Sequence, residues 1–202
     1  MNDIFPSLPQ PQEMRTLFQA FPDTAGPLFE YHDRLLRGWS PLTVGQRELI
    51  AAFVSGLNAC TYCHGAHTIA AQAFGIDEEV FATLMNDLDA APVADQLKPI
   101  LAYVRKLTLT PAKITATDAR AVYAAGWDER ALFDAISVCA LFNFMNRIVE
   151  GSGIRSNPLA ETEETRQARI LRISGGYEGD DPHEAPPTYA KLLSLWNIAT
   201  ED

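Results

Sequence analysis

The chain has 202 residues, 47% of them hydrophobic and 21% charged, a composition that excludes extended disorder, collagen-like repeats, coiled coils and small disulfide-stapled scaffolds. Sixteen basic residues against 26 acidic ones leave a net charge of −10, which disfavours phosphate backbones and anionic lipid as partners. The longest apolar run, Leu49 to Leu57, spans about nine residues where a membrane crossing needs about 20. The N-terminus has neither a basic start nor an apolar stretch of the secretory kind. The expectations are therefore no nucleic acid, no membrane and a cytoplasmic location.

In chain order, residues 1–12 carry Pro6, Pro9 and Pro11 and read as an extended arm. A short helix is predicted from Met14 and a second over Gly26–Arg37, before Ser40-Pro41-Leu42 breaks the chain. Thr43 and Gln46 match a capping box and open a helix over Val44–Leu57. A break at Asn58-Ala59 precedes a helix over Cys60–Phe74, stopped by Gly75. Further helices are predicted from Asp77 to Leu88, from Pro92 to Leu109, from Thr117 to Ala125, from Glu129 to Val149 and over 161–173. Residues 174–187 form a Gly/Pro/Asp loop, and Tyr189–Ile198 is a last amphipathic stretch. No segment alternates with the period of a strand. The fold class is all-α, a single domain over 1–202 with its core at 25–155, an arm at 1–12 and a C-terminal loop and helix at 174–202.

The chemistry concentrates in Glu48 and in Cys60-Thr-Tyr-Cys63-His64-Gly-Ala-His67. On a helix starting near Cys60, residues 60, 63, 64 and 67 share one face, because steps of three and four are helical neighbours. Cys60 and Cys63 lie one turn apart, with His64 and His67 each four residues beyond a cysteine. A helix N-terminus and an imidazolium both favour the thiolate, the form that attacks peroxides and disulfides. Glu48 sits in a helix apolar on nearly every side, so it is expected to be buried, with its pKa raised. Four readings fit: a packed cysteine pair, a structural zinc site at Cys60, Cys63, His64 and His67, haem attached at Cys-x-x-Cys-His, and a redox dithiol. One short helix cannot easily surround zinc tetrahedrally. Haem attachment usually follows export. The dithiol reading accounts for most of the residues.

The remaining candidates are bland. Cys139 sits in an apolar helix and reads as core. Arg147 and Glu150 are spaced to pair with each other, and Asn143 or Asn146 is placed to line the dithiol pocket. His32 and His183 read as surface residues. The tryptophans read as packing or subunit-contact anchors. The pairs Glu78-Glu79 and Asp180-Asp181 read as solvated rather than as a metal site. No phosphate loop or dinucleotide fingerprint is present.

Glu48, eleven intervening residues, then Cys60-x-x-Cys63-x-x-x-His67 resembles the signature of the alkylhydroperoxidase D family, within the carboxymuconolactone decarboxylase superfamily. The likeness is strongest to its peroxidase-related branch of proteins this size. It implies an all-α fold with the CxxC at the N-terminus of a core helix, assembled as a homo-oligomer. It further implies an enzyme that reduces a small hydroperoxide without cofactor or metal, drawing electrons from an external dithiol or a protein reductant. By that resemblance Cys63 attacks the peroxide, Cys60 resolves the sulfenic acid, and Glu48 with His67 relays protons. Tyr62 stands where well-studied members carry a histidine, and its hydroxyl is a candidate substitute. His64 lies outside the pattern. The superfamily's decarboxylase branch lacks the cysteine pair. A redox-sensing or partner-binding oligomer with negligible turnover is the alternative.

Overall fold

The structure, a computed structural model, describes residues 4–174 and 181–198. Within them ten α-helices and three short 3-10 turns form the chain, with no strand among the described residues. The helices are α1 (Met14–Ala20), α2 (Ala25–Leu36), α3 (Val44–Leu57), α4 (Thr61–Ala73), α5 (Glu78–Asn86), α6 (Lys98–Leu109), α7 (Ala116–Ala124), α8 (Glu129–Ser152), α9 (Glu163–Ser174) and α10 (Tyr189–Leu195). Residues 175–180 of the predicted 174–187 loop lie outside the described residues, and 181–187 carry no helix.

Helix α3 is the central rod. Its capping box forms in both directions, Gln46 N–H to Thr43 Oγ1 at 3.1 Å and Thr43 N–H to Gln46 Oε1 at 2.9 Å. Every residue from Arg47 to Ser55 is buried, as an all-round apolar helix requires. It packs against α4, α8 and α6. Buried Arg47 reaches the carbonyls of Leu35 at 2.7 Å and Gly38 at 2.6 Å, closing the C-terminal end of α2. Helix α8 is long and apolar enough to cross a bilayer, but 61% of its most apolar window is buried in the protein core.

A three-residue link, Asn58-Ala59-Cys60, turns the chain from α3 into α4, which runs back along it. Cys60 N–H bonds back to Ser55 O at 2.9 Å across this link, and Ala59 takes a left-handed φ of 56°. A Cβ on Gly56 would stand 2.6 Å from Met85 Sδ of α5 and 3.1 Å from His64 Nδ1 of α4, so the glycine leaves room for both side chains. The link thereby sets Cys60 as the N-cap of α4.

Candidate active site

Cys60 and Cys63 are free thiols, 0% and 3% exposed, in a small buried cluster with Leu17, Val149 and Ile154. The Cys63 thiol and its backbone N–H both act as donors to the Cys60 sulfur, lowering the Cys60 pKa against the opposing effect of burial. Cys63 is pushed up, first by its hydrogen bond to Cys60 and then by burial, while the Asn146 amide acts the other way. The resting charge of the pair therefore favours Cys60. Asn146 is itself fixed by Ser55 Oγ at 3.0 Å and by Asn58 Nδ2 at 2.9 Å. Asn146 thus reaches the dithiol, and Asn143 stands one step behind it, accepting from Asn58 at 3.1 Å.

Glu48 is fully buried, and its two oxygens are divided among three partners. Oε1 meets Arg37 Nη1 at 2.6 Å and accepts from the Tyr189 hydroxyl at 3.0 Å. Oε2 meets His67 Nδ1 at 2.6 Å. The expected rise in its pKa is corrected here. Burial does push it up, but Arg37 and then His67 outweigh burial and hold it at about 2. Glu48 is thus a fixed anion near neutral pH. Because His67 directs Nδ1 to a carboxylate, its Nε2 is the nitrogen available for proton exchange. The ring stands edge-on to Phe142, centroids 4.3 Å apart.

Arg37 and Tyr189 carry no local sequence signal. Asp33 explains their placement: its carboxylate accepts the N–H groups of Thr188 at 2.7 Å, Tyr189 at 2.9 Å and Ala190 at 2.7 Å, capping α10 onto α2. That cap brings the Tyr189 hydroxyl to Glu48. The Arg37 guanidinium lies between the Phe74 and Tyr189 rings, 4.9 and 5.0 Å from their centroids.

His64 turns away from the sulfurs, its Nδ1 2.9 Å from Ala52 O on α3. Tyr62 packs against the cysteine cluster, and burial pushes its hydroxyl up to about 12, so it keeps its proton. Glu150 pairs with Arg155 at 2.8 Å instead of Arg147, which bonds Asn143. Cys139 is buried in the core, where Thr108 Oγ1 lies 3.3 Å away.

His32 is also a correction: it is 4% exposed, packed on Phe29, Phe142 and Tyr189, with Nδ1 2.8 Å from Leu28 O. Burial, opposed by the Leu28 carbonyl, lowers its pKa to about 4; His67, Glu48 and Asp33 also face it. A base depressed on folding stabilises the protein fully above its unfolded pKa near 6.5. That stability is lost as pH falls toward 4. Unfolding free energies from urea titrations across that window should fall more steeply for the wild type than for His32→Asn, by roughly 1.4 kcal/mol per pH unit.

A strap covers the sulfurs. Phe5 and Leu8 pack on the cluster holding Cys60 and Cys63, and Phe5 meets Phe21 with ring centroids 5.5 Å apart. Ile4 lies against Gly153, whose left-handed φ of 81° ends α8. Within residues 4–13, the hydrogen bonds run inside the segment or to α1, so apolar contact alone holds the strap over the dithiol.

Residues 22–98 match the model of the carboxymuconolactone decarboxylase family, a span that holds Glu48, Cys60, Cys63 and His67. Among solved structures, a peroxidase-related protein from Silicibacter sp. is 27% identical with a TM-score of 0.61, covering 65% of this chain and 69% of that one. A second, from Ralstonia eutropha and described as an alkylhydroperoxidase core, is 23% identical with a TM-score of 0.67, covering 79% of each chain. No curated protein sequence matches significantly.

Proposed function

We propose that this chain, which belongs to the carboxymuconolactone decarboxylase and alkylhydroperoxidase D superfamily through residues 22–98, reduces small hydroperoxides at the Cys60–Cys63 dithiol. The observation that carries the reading is a pair of free thiols on the first turn of one helix, buried in one cluster. On the same helix His67, held by Glu48 of α3, adds a positioned proton carrier. Decarboxylation has no use for such a pair, whereas two-electron reduction of an O–O bond does.

The steps balance as follows. The Cys63 proton passes to Cys60 as the Cys63 sulfur attacks the outer peroxide oxygen. The O–O bond breaks, Cys63 becomes a sulfenic acid, and the alkoxide takes the proton now on Cys60 to leave as alcohol. Cys60, again a thiolate, attacks the Cys63 sulfur, forming the disulfide and expelling hydroxide. A proton converts the hydroxide to water. An external dithiol or protein reductant then returns two electrons and two protons to the pair. In this reading Glu48 fixes the His67 ring through its Nδ1.

The enzyme works in the cytoplasm as a homo-oligomer. Trp39, Phe133 and Phe144 are 56%, 64% and 50% exposed, and the two phenylalanines lie on one stripe of α8, which supports self-association.

To test the activity, fully reduced protein is mixed with one equivalent of cumene hydroperoxide. The expected result is loss of the peroxide with formation of the Cys60–Cys63 disulfide, and repeated turnover once dihydrolipoamide is added. Persistence of the peroxide with both thiols still titratable overturns the reading. The near-complete burial of the sulfurs favours one second reading, a redox switch with little turnover. It is distinguished by a change in assembly mass on oxidation without catalysis.

A further inference from the structure

A guanidinium grips a carboxylate most strongly through both oxygens at once. Glu48 is held differently. Arg37 Nη1 meets Oε1 at 2.6 Å, the Tyr189 hydroxyl donates to the same Oε1 at 3.0 Å, and Oε2 is left for His67 Nδ1 at 2.6 Å. The segment leading into α10 sets both donors on Oε1. It is anchored where Val44 N–H donates to Pro182 O at 2.8 Å and Arg47 Nη2 donates to His183 O at 2.6 Å. It then grips Arg37, whose carbonyl accepts Ala185 N–H at 2.8 Å and whose Nε donates to Thr188 Oγ1 at 3.1 Å. The Asp33 carboxylate fixes the N–H groups of Thr188, Tyr189 and Ala190. Phenol and guanidinium are thus placed together, by contacts that do not involve Glu48. Burial, and then the Glu48 anion, push the Tyr189 pKa well up, so its hydroxyl keeps its proton and remains a donor.

We propose that Tyr189 is a positioning residue of the dithiol site: its hydroxyl, held by the docking of α10, pins Glu48 Oε1 so that Oε2 stays on His67 Nδ1 and leaves Nε2 free to carry protons. Without the hydroxyl, the carboxylate turns toward a two-oxygen grip by Arg37 and releases the His67 ring. The inference rests on the peroxidase reading for the use made of the proton. It adds to the site a residue beyond the matched span of 22–98.

Tyr189→Phe in the full chain removes the hydroxyl and keeps the ring that packs on Arg37, His32 and His67. Nitrogen NMR of isotope-labelled histidines in the reduced protein at pH 8 reads whether His67 Nδ1 carries a proton. His67→Asn identifies that signal among the four histidines. In the wild type Nδ1 is expected to be protonated. In Tyr189→Phe the proton should be shared with Nε2, as in a ring that no carboxylate holds. Turnover of cumene hydroperoxide with dihydrolipoamide should fall about 10-fold, the scale of a displaced catalytic group. A Tyr189→Phe protein whose Nδ1 stays fully protonated overturns the proposal whatever its activity, because the ring alone then suffices. A wild type with Nδ1 bare overturns it too, as does a shared proton with turnover unchanged. If the wild type turns over no peroxide, the peroxidase reading fails, and the nitrogen signal still decides whether the hydroxyl keeps Glu48 on His67.

Discussion

Cys63→Ser should lower peroxide turnover by roughly 1,000-fold or more, the scale on which enzymes lose a nucleophile. Cys60→Ser should also stop turnover, but for a different reason. Cys63 would still complete one attack, and with no resolving thiol the sulfenic acid would persist and react with dimedone. The asymmetry matters because the resting pair carries its charge preferentially on Cys60, with Cys63 as donor. In the proposed reaction Cys60 is first the base for Cys63 and then the nucleophile that resolves it. Cys60→Ser therefore slows the first attack as well, since a serine hydroxyl accepts that proton poorly. Mass spectrometry of each variant after one equivalent of peroxide checks the assignment. A sulfenic acid on Cys60 in Cys63→Ser, with rapid peroxide loss, exchanges the two roles.

Arg37→Met should cost roughly 3–5 kcal/mol of stability, the usual penalty for stranding one partner of a buried ion pair. For a chain of this size that is a fall in melting temperature of about 10 °C. Arg37 is 2% exposed and meets Glu48 at 2.6 Å, so water cannot replace it without opening the core. The double variant Arg37→Met/Glu48→Gln should recover much of the loss, because it leaves neither charge buried. The pH dependence has a definite sign. Glu48 is held at about 2, so its contribution is present above its unfolded pKa near 4.3 and is lost as pH falls toward 2. Without Arg37 the carboxyl titrates at higher pH, and acid then destabilises the variant less than the wild type. Urea unfolding at pH 7 and pH 3.5 measures both effects.

What the sequence made legible is what neighbouring residues decide. The bounds of α3 follow from the Thr43–Gln46 box and a continuous apolar run, and α4 begins where Cys60 caps it. The family motif marked Glu48, Cys60, Cys63 and His67 because their spacing is helical. The surroundings of that motif are contacts between distant parts of the chain. Tyr189 reaches Glu48 across 141 positions, and Asp33 caps α10 across 155 to 157. Nothing near Arg37 announces a buried guanidinium, so an isolated Glu48 reads as a carboxyl with a raised pKa. His32 misleads for the same reason: the rings that enclose it come from α8 and α10 as well as α2.

The N-terminal strap has a kinetic consequence. A site covered by Phe5 and Leu8, which apolar contact alone holds in place, reacts no faster than they unlatch. As oxidant concentration rises, the oxidation rate should level off at a first-order ceiling, the same for hydrogen peroxide, cumene hydroperoxide and a neutral alkylating probe. Phe5→Ala should raise that ceiling without altering the chemistry beneath it. Stopped-flow traces over a wide concentration range would read the frequency of unlatching directly, and rates that keep climbing in proportion to oxidant would show that the dithiol is reached by another route.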